Sequence, residues 1–366
     1  MRIAFDQQIF TWQEYGGISR YICRLAAHLS AIVGVETKIF APLHVNSYLP
    51  ELASGIKAGI KVKILPKTDR IRINASRLLA RPLIQAYQPD IVHETYYSAS
   101  TYAPKTAFRV LTAYDMIHEQ FKDKFLQNDP TTWNKKISFS RADHIICISE
   151  STKRDLLDIY DVSAEKVSVV YLGFDSLYVD SKVSNSPVKE PYLLYVGQRG
   201  GYKNFDNFIK AYARYEWLRN NFRIYCFGGG AFTVTEKESF KTIGIDESRI
   251  HQLGGDDSVL TECYRNASAF VYPSLYEGFG IPPLEAMSLG CPVVCSNTSS
   301  IPEVVGNSGE YFDPNSVDSI GSSIENVLNS SEHRSNLIIK GFERCKLFTW
   351  EKCAAETLVI YKDIRR

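Results

Sequence analysis

The chain has 366 residues, which is enough for two domains that each bury a hydrophobic core. Its residues are 45% hydrophobic and 23% charged, a composition that excludes an intrinsically disordered chain. A formal net charge of +1 argues against a dedicated nucleic-acid-binding protein. The chain has no run of about 18 apolar residues and starts directly with a strand pattern, so we expect neither a membrane span nor a signal peptide.

The eight cysteines are scattered along the chain, and they include no C-x-x-C pair of the kind that binds zinc. Most of them stand in apolar stretches that are typical of strands or helices. Reduced thiols in a cytoplasmic protein are therefore the simplest interpretation.

The first element is predicted to be a strand over residues 2–6, followed by a loop that ends at Gly16 and Gly17. After these glycines, apolar side chains at helical spacing from Ile18 to Leu29 predict a helix. A strand, a glycine turn and a helix are the usual opening of a doubly wound sheet.

Short apolar segments alternate with helical patterns through the rest of the first half, which predicts a largely parallel sheet covered on both faces. The predicted strands are residues 36–40, 62–65, 91–93, 110–112, 144–148 and 167–171, and the predicted helices are residues 74–87, 131–140 and 150–160. Ligands bind beyond the carboxyl ends of such strands, which makes the residues there site candidates. They are His93, Glu94, Tyr114, Asp115 and Ser149. His93 could equally be a hydrogen-bonded core residue, and Ser149 could equally cap the next helix.

Basic residues cluster between Lys57 and Arg81, where eight lysines and arginines stand against the single Asp69. Such a run is most often a solvated surface. The alternative is a docking surface for anionic lipid or for a phosphate-bearing acceptor, with peripheral contact at the inner face of the cytoplasmic membrane.

A polar segment at residues 175–191, rich in serine and proline, is predicted to link two domains. A second alternating series of strands and helices follows it. The predicted strands are residues 192–196, 223–227, 249–253, 269–272, 292–295 and 310–312, and the predicted helices are residues 205–218, 258–266, 283–289, 317–328, 332–345 and 350–364. The sequence therefore predicts two α/β domains in tandem.

Residues 269–295, AFVYPSLYEGFGIPPLEAMSLGCPVVC, have the pattern of a strand, a loop, a helix and a strand. Glu277 lies in the loop and Glu285 in the first turns of the helix. Glycines between them allow a ligand close to the backbone, and the helix start favours an anion. Carboxylates on either side of an anion suit hydroxyl groups, so the layout fits the ribose, diphosphate and sugar of a sugar nucleotide. The simpler alternative is that Glu285 stabilises the helix start and Glu277 is a solvated loop residue.

This stretch closely resembles the E-x7-E signature of retaining glycosyltransferases of the GT-B fold, family 4, and the resemblance extends over nearly the whole chain. It implies an α/β protein with two Rossmann-like, doubly wound domains that face a central cleft. The acceptor-binding domain would span residues 1–178, and the sugar-nucleotide-binding domain residues 179–347. Residues 348–366 would form a helix that crosses back to the first domain.

The implied reaction releases a diphosphate, whose developing negative charge must be neutralised. The chain has no Asp-x-Asp pair to hold a divalent metal, so we expect no metal or other cofactor and assign this task to basic side chains. The loop GQRGGYKNF offers Arg199 and Lys203. Lys203 matches the family pattern, whereas Arg199 would substitute for the basic residue that the family has beside this lysine. A flexible, solvated loop is the alternative.

The resemblance also implies the roles of other positions. The expected catalytic residues are Glu277, Lys203, Arg199 and Asp115. Tyr114 stands where many relatives have histidine; its hydroxyl can donate a hydrogen bond but does not titrate near neutrality. The expected substrate-binding residues are Gly16, Gly17, Tyr114, Ser149, Gly197, Gly228, Leu253, Gly278, Phe279, Gly280, Ile281 and Glu285.

The implied activity moves a hexose from a nucleoside-diphosphate sugar to a polysaccharide or lipid-linked oligosaccharide, with retained configuration and front-side attack. UDP-glucose is the first choice of donor, with GDP-mannose and UDP-N-acetylglucosamine as alternatives. A non-catalytic, sugar-nucleotide-binding relative is a second hypothesis, because the family's histidine and basic pair are altered. An NAD-dependent oxidoreductase is disfavoured, since the first turn lacks the G-x-G-x-x-G fingerprint.

Overall fold

Two parallel β-sheets, each in its own unit of the chain, organise the fold in the computed structural model, which describes residues 1–126, 129–176 and 190–365. The first unit comprises Met1–Gly173 and Phe348–Arg366, and the second comprises Phe174–Leu347. Most of the predicted linker at 175–191, including the predicted boundary between residues 178 and 179, lies outside the described residues. Within the described ranges, no helix is long and apolar enough to cross a membrane.

The first unit contains a seven-stranded parallel sheet with the order β3-β2-β1-β4-β5-β6-β7. Its strands are β1 (Arg2–Phe5), β2 (Glu36–His44), β3 (Lys57–Lys61), β4 (Ile91–Glu94), β5 (Phe108–Ala113), β6 (His144–Cys147) and β7 (Val167–Val169). Every residue of β4 and of β6 is buried, as expected for inner strands of a sheet that is covered on both faces. The predicted doubly wound architecture is thus confirmed for the first half.

Helices cover both faces of this sheet. They are α1 (Gln8–Trp12), α2 (Gly17–Ser30), α3 (Asp69–Tyr87), α4 (Ile117–Gln120), α5 (Thr131–Arg141) and α6 (Glu150–Ile159). Helix α2 begins at the predicted glycines and buries Tyr21, Leu25 and Leu29 along one side. Helix α1 was not predicted, because five residues are too few to show a helical period.

The strand predicted at residues 62–65 is wrong. The edge strand is instead β3, the preceding KAGIK segment, which pairs in parallel with β2. Three of its five residues are exposed, so it lacks the buried apolar pattern on which the prediction relied. Pairing with its neighbour, rather than local hydrophobicity, therefore makes this segment a strand.

The second unit contains a six-stranded parallel sheet with the order β10-β9-β8-β11-β12-β13. Its strands are β8 (Tyr192–Val196), β9 (Arg223–Phe227), β10 (Ile250–Leu253), β11 (Ala269–Tyr272), β12 (Val293–Ser296) and β13 (Gly309–Phe312). All six lie within one residue of the predicted bounds. The sequence-based description of this sheet is confirmed.

Eight helices accompany this sheet among the described residues. They are α7 (Phe205–Arg214), α8 (Glu216–Asn221), α9 (Val234–Thr242), α10 (Asp257–Asn266), α11 (Ile281–Ser288), α12 (Ile301–Val305), α13 (Val317–Asn329) and α14 (Ser331–Cys345). The helix predicted at residues 205–218 is divided at Tyr215, whose backbone is extended. Helices α9 and α12 were not predicted.

The last helix, α15 (Trp350–Asp363), belongs to the first unit. Its start packs against Gly173, where an added Cβ would lie only 2.4 Å from the Trp350 nitrogen. The Trp350 ring lies 6.2 Å from the ring of Tyr21 in α2. The absence of a side chain at Gly173 therefore allows α15 to join the core of this unit.

Candidate active site

The most informative cluster lies in the second unit, at the point where the strand order reverses. Strands β8 and β11 are adjacent there, and their carboxyl ends lie at the same edge of the sheet. Lys203 follows β8 and Glu277 follows β11, and the lysine Nζ lies 2.7 Å from the glutamate Oε1. The structure thus joins two of the predicted catalytic residues in one ion pair.

Asn204 ties the two loops of this pair together. Its side-chain Nδ2 donates to the carbonyl oxygens of Pro273 (2.9 Å) and Pro314 (2.8 Å), and the side chain is buried. Its backbone is left-handed, with φ of 56°, a conformation that asparagine tolerates better than most residues. In addition, the Leu275 N–H donates to the Tyr202 carbonyl. Sequence analysis did not identify Asn204; the available signal was an asparagine directly before a helix.

Three consecutive hydroxyl residues hold the Glu277 loop from its other side. The Thr298 hydroxyl donates to the Leu275 carbonyl, and the Ser299 hydroxyl accepts the Glu277 N–H at 2.9 Å. The oxygen of the buried Ser300 hydroxyl lies 2.8 and 2.7 Å from the carbonyl oxygens of Glu277 and Phe279, so its single proton is shared between these two acceptors. Sequence analysis missed this support as well, although the run NTSS directly after a buried strand was its visible signal.

The Glu277 side chain is largely withdrawn from solvent, with the residue 8% exposed. The buried Tyr272 hydroxyl hydrogen-bonds its carboxylate. Burial first, and then the Glu277 charge, raise the pKa of Tyr272 well above its usual value. The Tyr272 hydroxyl therefore keeps its proton beside Glu277. Glu277 is thus not the solvated loop residue of the simpler hypothesis.

The glycine loop before α11 has a backbone that requires glycine at one position. Gly280 has φ of +114°, which side chains rarely tolerate. Prolines occupy the second and third positions of α11 and remove two of the N–H groups of the helix start. Anion-binding N–H groups at this helix start are therefore limited to those of Gly280 and Ile281, together with the loop before them.

Glu285 lies on α11, in the second turn. Its Oε2 accepts a hydrogen bond from the Tyr264 hydroxyl at 3.3 Å, and its carboxylate raises the pKa of this buried tyrosine further, after the larger effect of burial. The position is half-buried. Its environment is thus polar on the Tyr264 side.

Arg199 has an environment that sequence analysis did not anticipate. The residue is only 7% exposed, and its Nε lies 2.6 Å from Glu236 Oε1. The guanidinium also donates to the carbonyls of Gly228, Gly230 and Ala231 at 3.0–3.2 Å. The structure therefore shows Arg199 bound to the glycine turn after β9 and to the start of α9.

The glycine turn that Arg199 holds has an unusual backbone. Gly228, Gly229 and Gly230 have φ of +82°, +70° and +72°, and an added Cβ on Gly229 would lie 2.7 Å from the Arg199 guanidinium. The Gly228 N–H donates to the Leu253 carbonyl at 3.0 Å. Gly197, also with a positive φ, donates its N–H to the carbonyl at the end of β9. The predicted Gly197, Gly228 and Leu253 are thus connected at one edge of the sheet.

In the first unit, Asp115 follows β5 and is part of a buried ionic cluster. Its Oδ1 accepts the Ile117 N–H and lies 3.4 Å from the Lys135 Nζ. Lys135 is 1% exposed and also donates to Glu119 at 2.8 Å. Although burial alone would raise the pKa of Glu119, the Lys135 ammonium holds it below its usual value. Lys135 is a positioning partner of Asp115 that sequence analysis missed.

Tyr114 and Ser149 are both buried and hydrogen-bonded within the first unit. The Tyr114 hydroxyl donates to the Thr95 carbonyl at 3.0 Å, and its N–H donates to the Tyr97 hydroxyl. The Ser149 hydroxyl caps α6 by accepting the Thr152 N–H at 3.0 Å. Of the two hypotheses for Ser149, the structure supports the helix cap.

His93 is a core residue rather than an exposed ligand. Its Nδ1 is hydrogen-bonded to the Tyr361 hydroxyl of α15, and its Nε2 to the Thr112 hydroxyl at 2.8 Å. Burial lowers the pKa of His93 to about 3. The ring is therefore neutral and links α15 to β4 and β5.

Gly16 and Gly17 mark the start of α2. Gly16 has extended backbone, and its carbonyl accepts the Arg20 N–H of the helix and the Ser19 hydroxyl. The Gln13 side chain crosses closely over Gly16. Gly16 thus allows the loop to turn tightly into the helix, whereas a Cβ added to Gly17 would meet no other atom of the described residues. Among the described residues, no group of three or more His, Cys, Asp or Glu side chains is arranged to hold a metal ion.

Comparison with known proteins agrees with this architecture. The pattern of the family described as Glycosyltransferase Family 4 matches residues 15–176, and that of Glycosyl transferases group 1 matches residues 179–344. The O-antigen chain mannosyltransferase B of Escherichia coli is 30% identical to this chain, over 94% of this chain and 96% of the relative. The O-antigen chain mannosyltransferase RfbU of Salmonella typhimurium is 26% identical, over 85% and 87%.

A solved structure shows the same fold over the full length. Sucrose-phosphate synthase from Thermosynechococcus elongatus superposes with a TM-score of 0.76 at 19% identity, covering 100% of this chain and 99% of that chain. The two family patterns and the full-length relative show that the chain is a glycosyltransferase, and the solved structure agrees in fold. It belongs to glycosyltransferase family 4 and has the GT-B fold.

Proposed function

We propose that this glycosyltransferase is a mannosyltransferase that uses GDP-mannose and extends a polysaccharide or a lipid-linked oligosaccharide. The observation that carries the choice of sugar is the 30% identity to an O-antigen chain mannosyltransferase over 94% of the chain. A second relative with 85% coverage is also named as an O-antigen chain mannosyltransferase. These relatives favour mannose over glucose, so GDP-mannose replaces UDP-glucose as our preferred donor.

The proposed donor site is the edge of the second sheet around the Lys203–Glu277 pair. Glu277 holds the Lys203 ammonium at this edge of the sheet, where its positive charge would attract a phosphate oxygen. Glu277 would accept hydrogen bonds from sugar hydroxyls, and Glu285 from the ribose. The N–H groups from Gly278 to Ile281 would contact the diphosphate, as the predicted role of this loop requires.

Arg199 has a different role in this proposal from the one predicted. Because its guanidinium bonds three carbonyls and Glu236, its principal task is to shape the glycine turn that a nucleotide would approach. Its positive charge still contributes to the field at the diphosphate, at longer range. Lys203 is then the main cation at the leaving group.

The proposed chemistry is front-side transfer with retention. The bond between the anomeric carbon and the phosphate oxygen breaks, the acceptor hydroxyl bonds that carbon from the same face, and its proton passes to the departing phosphate. Preorganised donors stabilise the developing charge. We propose metal independence because the sequence offers no Asp-x-Asp pair and supplies Lys203 instead. Asp115, in the first unit, is the proposed acceptor-side carboxylate, oriented by Lys135.

We place the reaction in the cytoplasm. All eight cysteines lie among the described residues and are buried, and none of them forms a disulfide. Thiols of this kind persist in a reducing compartment.

The test is a donor panel of radiolabelled GDP-mannose, UDP-glucose and UDP-N-acetylglucosamine, each with EDTA or magnesium. Transfer or hydrolysis of GDP-mannose in EDTA is the expected result, with thermal stabilisation by GDP but not by NAD. Turnover of UDP-glucose instead would overturn the choice of donor. A strict need for magnesium would overturn the metal-free mechanism, and GDP-mannose binding without any turnover would favour the non-catalytic hypothesis.

A further inference from the structure

Helix α3 exposes an apolar stripe on the side opposite its packing side. Its buried residues are Ser76, Ala80 and Ile84, which point toward the sheet. At about 100° per residue, Ile71 and Leu78 point in the opposite direction. Ile71 is 72% exposed and Leu78 is 77% exposed. Single exposed aliphatic residues are ordinary, but a stripe along one helix is not.

Arginines line one flank of this stripe. Arg70, Arg77 and Arg81 are exposed and spaced seven and four positions apart, so they share a side of the helix. Arg72 differs from them, because its guanidinium turns inward to the Thr11 carbonyl and to Asp69. One side of the helix therefore packs on the sheet, and the other side presents an aliphatic stripe with a basic flank to solvent.

The sheet edge next to this helix has a similar set of exposed residues. Helix α3 packs on β2, and β3 is the edge strand beside β2. Aliphatic and basic residues alternate along β3 and the segment after it, and all of them are exposed: Ile60, Lys61, Lys63, Ile64, Leu65 and Lys67. Of twenty exposed large hydrophobic residues in the described part of the chain, seven lie between Ile60 and Leu83. We call this surface of β3 and α3 the basic–aliphatic face.

We propose that the basic–aliphatic face docks the protein peripherally on an anionic lipid bilayer. Basic side chains attract the anionic headgroups, and aliphatic side chains enter the boundary between headgroups and acyl chains. A soluble polyanion, such as a phosphorylated glycan, would use the charges but would leave the aliphatic side chains exposed. A second copy of the chain would oppose basic residues to basic residues across a two-fold interface. A bilayer satisfies both components of the surface.

Docking of this kind does not depend on glycosyl transfer and can be measured without a donor. If the proposed function also holds, docking brings the enzyme to the surface where a lipid-linked acceptor lies. Failure of one proposal therefore leaves the other standing.

The test is co-sedimentation of the full chain with vesicles of equal parts phosphatidylglycerol and phosphatidylcholine, compared with pure phosphatidylcholine. Binding only to the anionic vesicles, weakened by salt, is expected. The double variant Arg70→Gln/Arg81→Gln should bind roughly 25-fold more weakly, at about fivefold for each basic residue. The double variant Ile71→Ser/Leu78→Ser should lose tenfold or more.

Matched controls separate this face from general charge and hydrophobicity. Lys105→Gln/Lys166→Gln changes two exposed lysines elsewhere in the first unit, and Val33→Ser/Val359→Ser changes two exposed valines. Both controls should bind as the unmodified protein does. Equal weakening in controls and test variants would overturn the proposal, as would absence of vesicle binding. Loss of a dimer in Ile71→Ser/Leu78→Ser by analytical ultracentrifugation, without vesicle binding, would instead identify a second copy as the occupant.

Discussion

Lys203 and Glu277 are 74 positions apart in the chain, yet the Nζ of one lies 2.7 Å from the Oε1 of the other. The contact arises because β8 and β11 are neighbours in a parallel sheet and their loops leave from the same edge. The two side chains are 21% and 10% exposed, so the pair is partly withdrawn from water. A charge at this position acts more strongly on a ligand than a charge at the surface would.

Lys203→Ala should lower kcat/KM by about 100-fold or more, the effect of removing one preorganised donor from a developing anion. The free energy of unfolding should fall by about 1–3 kcal/mol, because the partly buried Glu277 carboxylate loses its cation, and the variant should remain folded at assay temperature. Steady-state kinetics with GDP-mannose and differential scanning calorimetry measure the two quantities.

Lys346→Ala is the matched control, since its Nζ also lies 2.7 Å from a glutamate, Glu343, but at an exposed position. Its kinetics should equal those of the unmodified enzyme. Unchanged activity of Lys203→Ala would remove this lysine from the proposed mechanism.

Asn204→Ala should destabilise the second unit by about 2 kcal/mol. The substitution leaves the buried Pro273 carbonyl without its donor and strains a left-handed backbone. Activity should fall as well, because the loops that carry Lys203 and Glu277 lose their connection. Urea unfolding followed by near-UV circular dichroism gives the free energy of unfolding.

Asn207→Ala provides the comparison for Asn204. Its Nδ2 donates to the Pro314 carbonyl at 3.1 Å, which Asn204 also bonds, so the carbonyl keeps a donor in this variant. The expected loss is below about 1 kcal/mol. Equal effects of the two substitutions would contradict a specific role of Asn204 in joining the loops.

Arg199→Met should destabilise the second unit by about 3 kcal/mol, because it removes the donor that Arg199 supplies to three carbonyls and to Glu236 Oε1. Arg199→Lys should recover only part of this, since an ammonium lacks the planar fork of the guanidinium. A direct phosphate ligand would behave differently: its variants would fold normally and lose only donor affinity. Calorimetry together with GDP titration separates the two roles.

Ser300→Ala should lower kcat by about 10- to 100-fold, because the Glu277 loop loses the hydroxyl that fixes two of its carbonyls. Ser322→Ala is the control, as this hydroxyl donates only to the Ser319 carbonyl of its own exposed helical turn. Parallel single-turnover measurements compare the variants. Identical rates for Ser300→Ala and the unmodified enzyme would show that the loop does not need this support.

His93 makes the stability of the first unit depend on pH. Its pKa is about 3 when folded, against about 6.5 for an unfolded histidine, so only the unfolded chain binds the proton between these values. The free energy of unfolding therefore falls as the pH drops, by up to about 2 kcal/mol from this residue between pH 7 and pH 5. His93→Gln retains polar ends but does not titrate, and its stability should fall less with acid.

Other buried groups titrate in the same unit. Burial lowers the pKa of His44 to about 4, which acts in the same direction, and raises the pKa of Asp6 and Glu94, which acts in the opposite direction. The measurement is therefore the difference between His93→Gln and the unmodified protein in urea unfolding at each pH. A difference that does not change between pH 7 and pH 5 would contradict a neutral, buried His93.

Both sheets and several residues of the candidate site can be predicted from the sequence alone. Alternating apolar strands and amphipathic helices predict two parallel sheets, because strands buried on both faces are mostly apolar along their length. The segment from Glu277 to Glu285 indicates a sugar-nucleotide enzyme, because its glycines, prolines and carboxylates are local features of one loop and one helix. Lys203 can be predicted for the same reason, since it follows a predicted strand.

Tertiary structure decided which of these residues meet and what each contacts. Asn204, Ser300 and Lys135 bond distant segments of the chain, and a local signal, such as an asparagine before a helix or a run of hydroxyl residues after a strand, does not show which groups they contact. Arg199 has the charge and the N–H donors of a phosphate ligand, but in the folded chain its guanidinium bonds backbone carbonyls. The edge strand β3 exists only through pairing with β2. Features of a single loop or helix can be recognised from consecutive residues, whereas hydrogen bonds between distant segments depend on the register of the whole sheet.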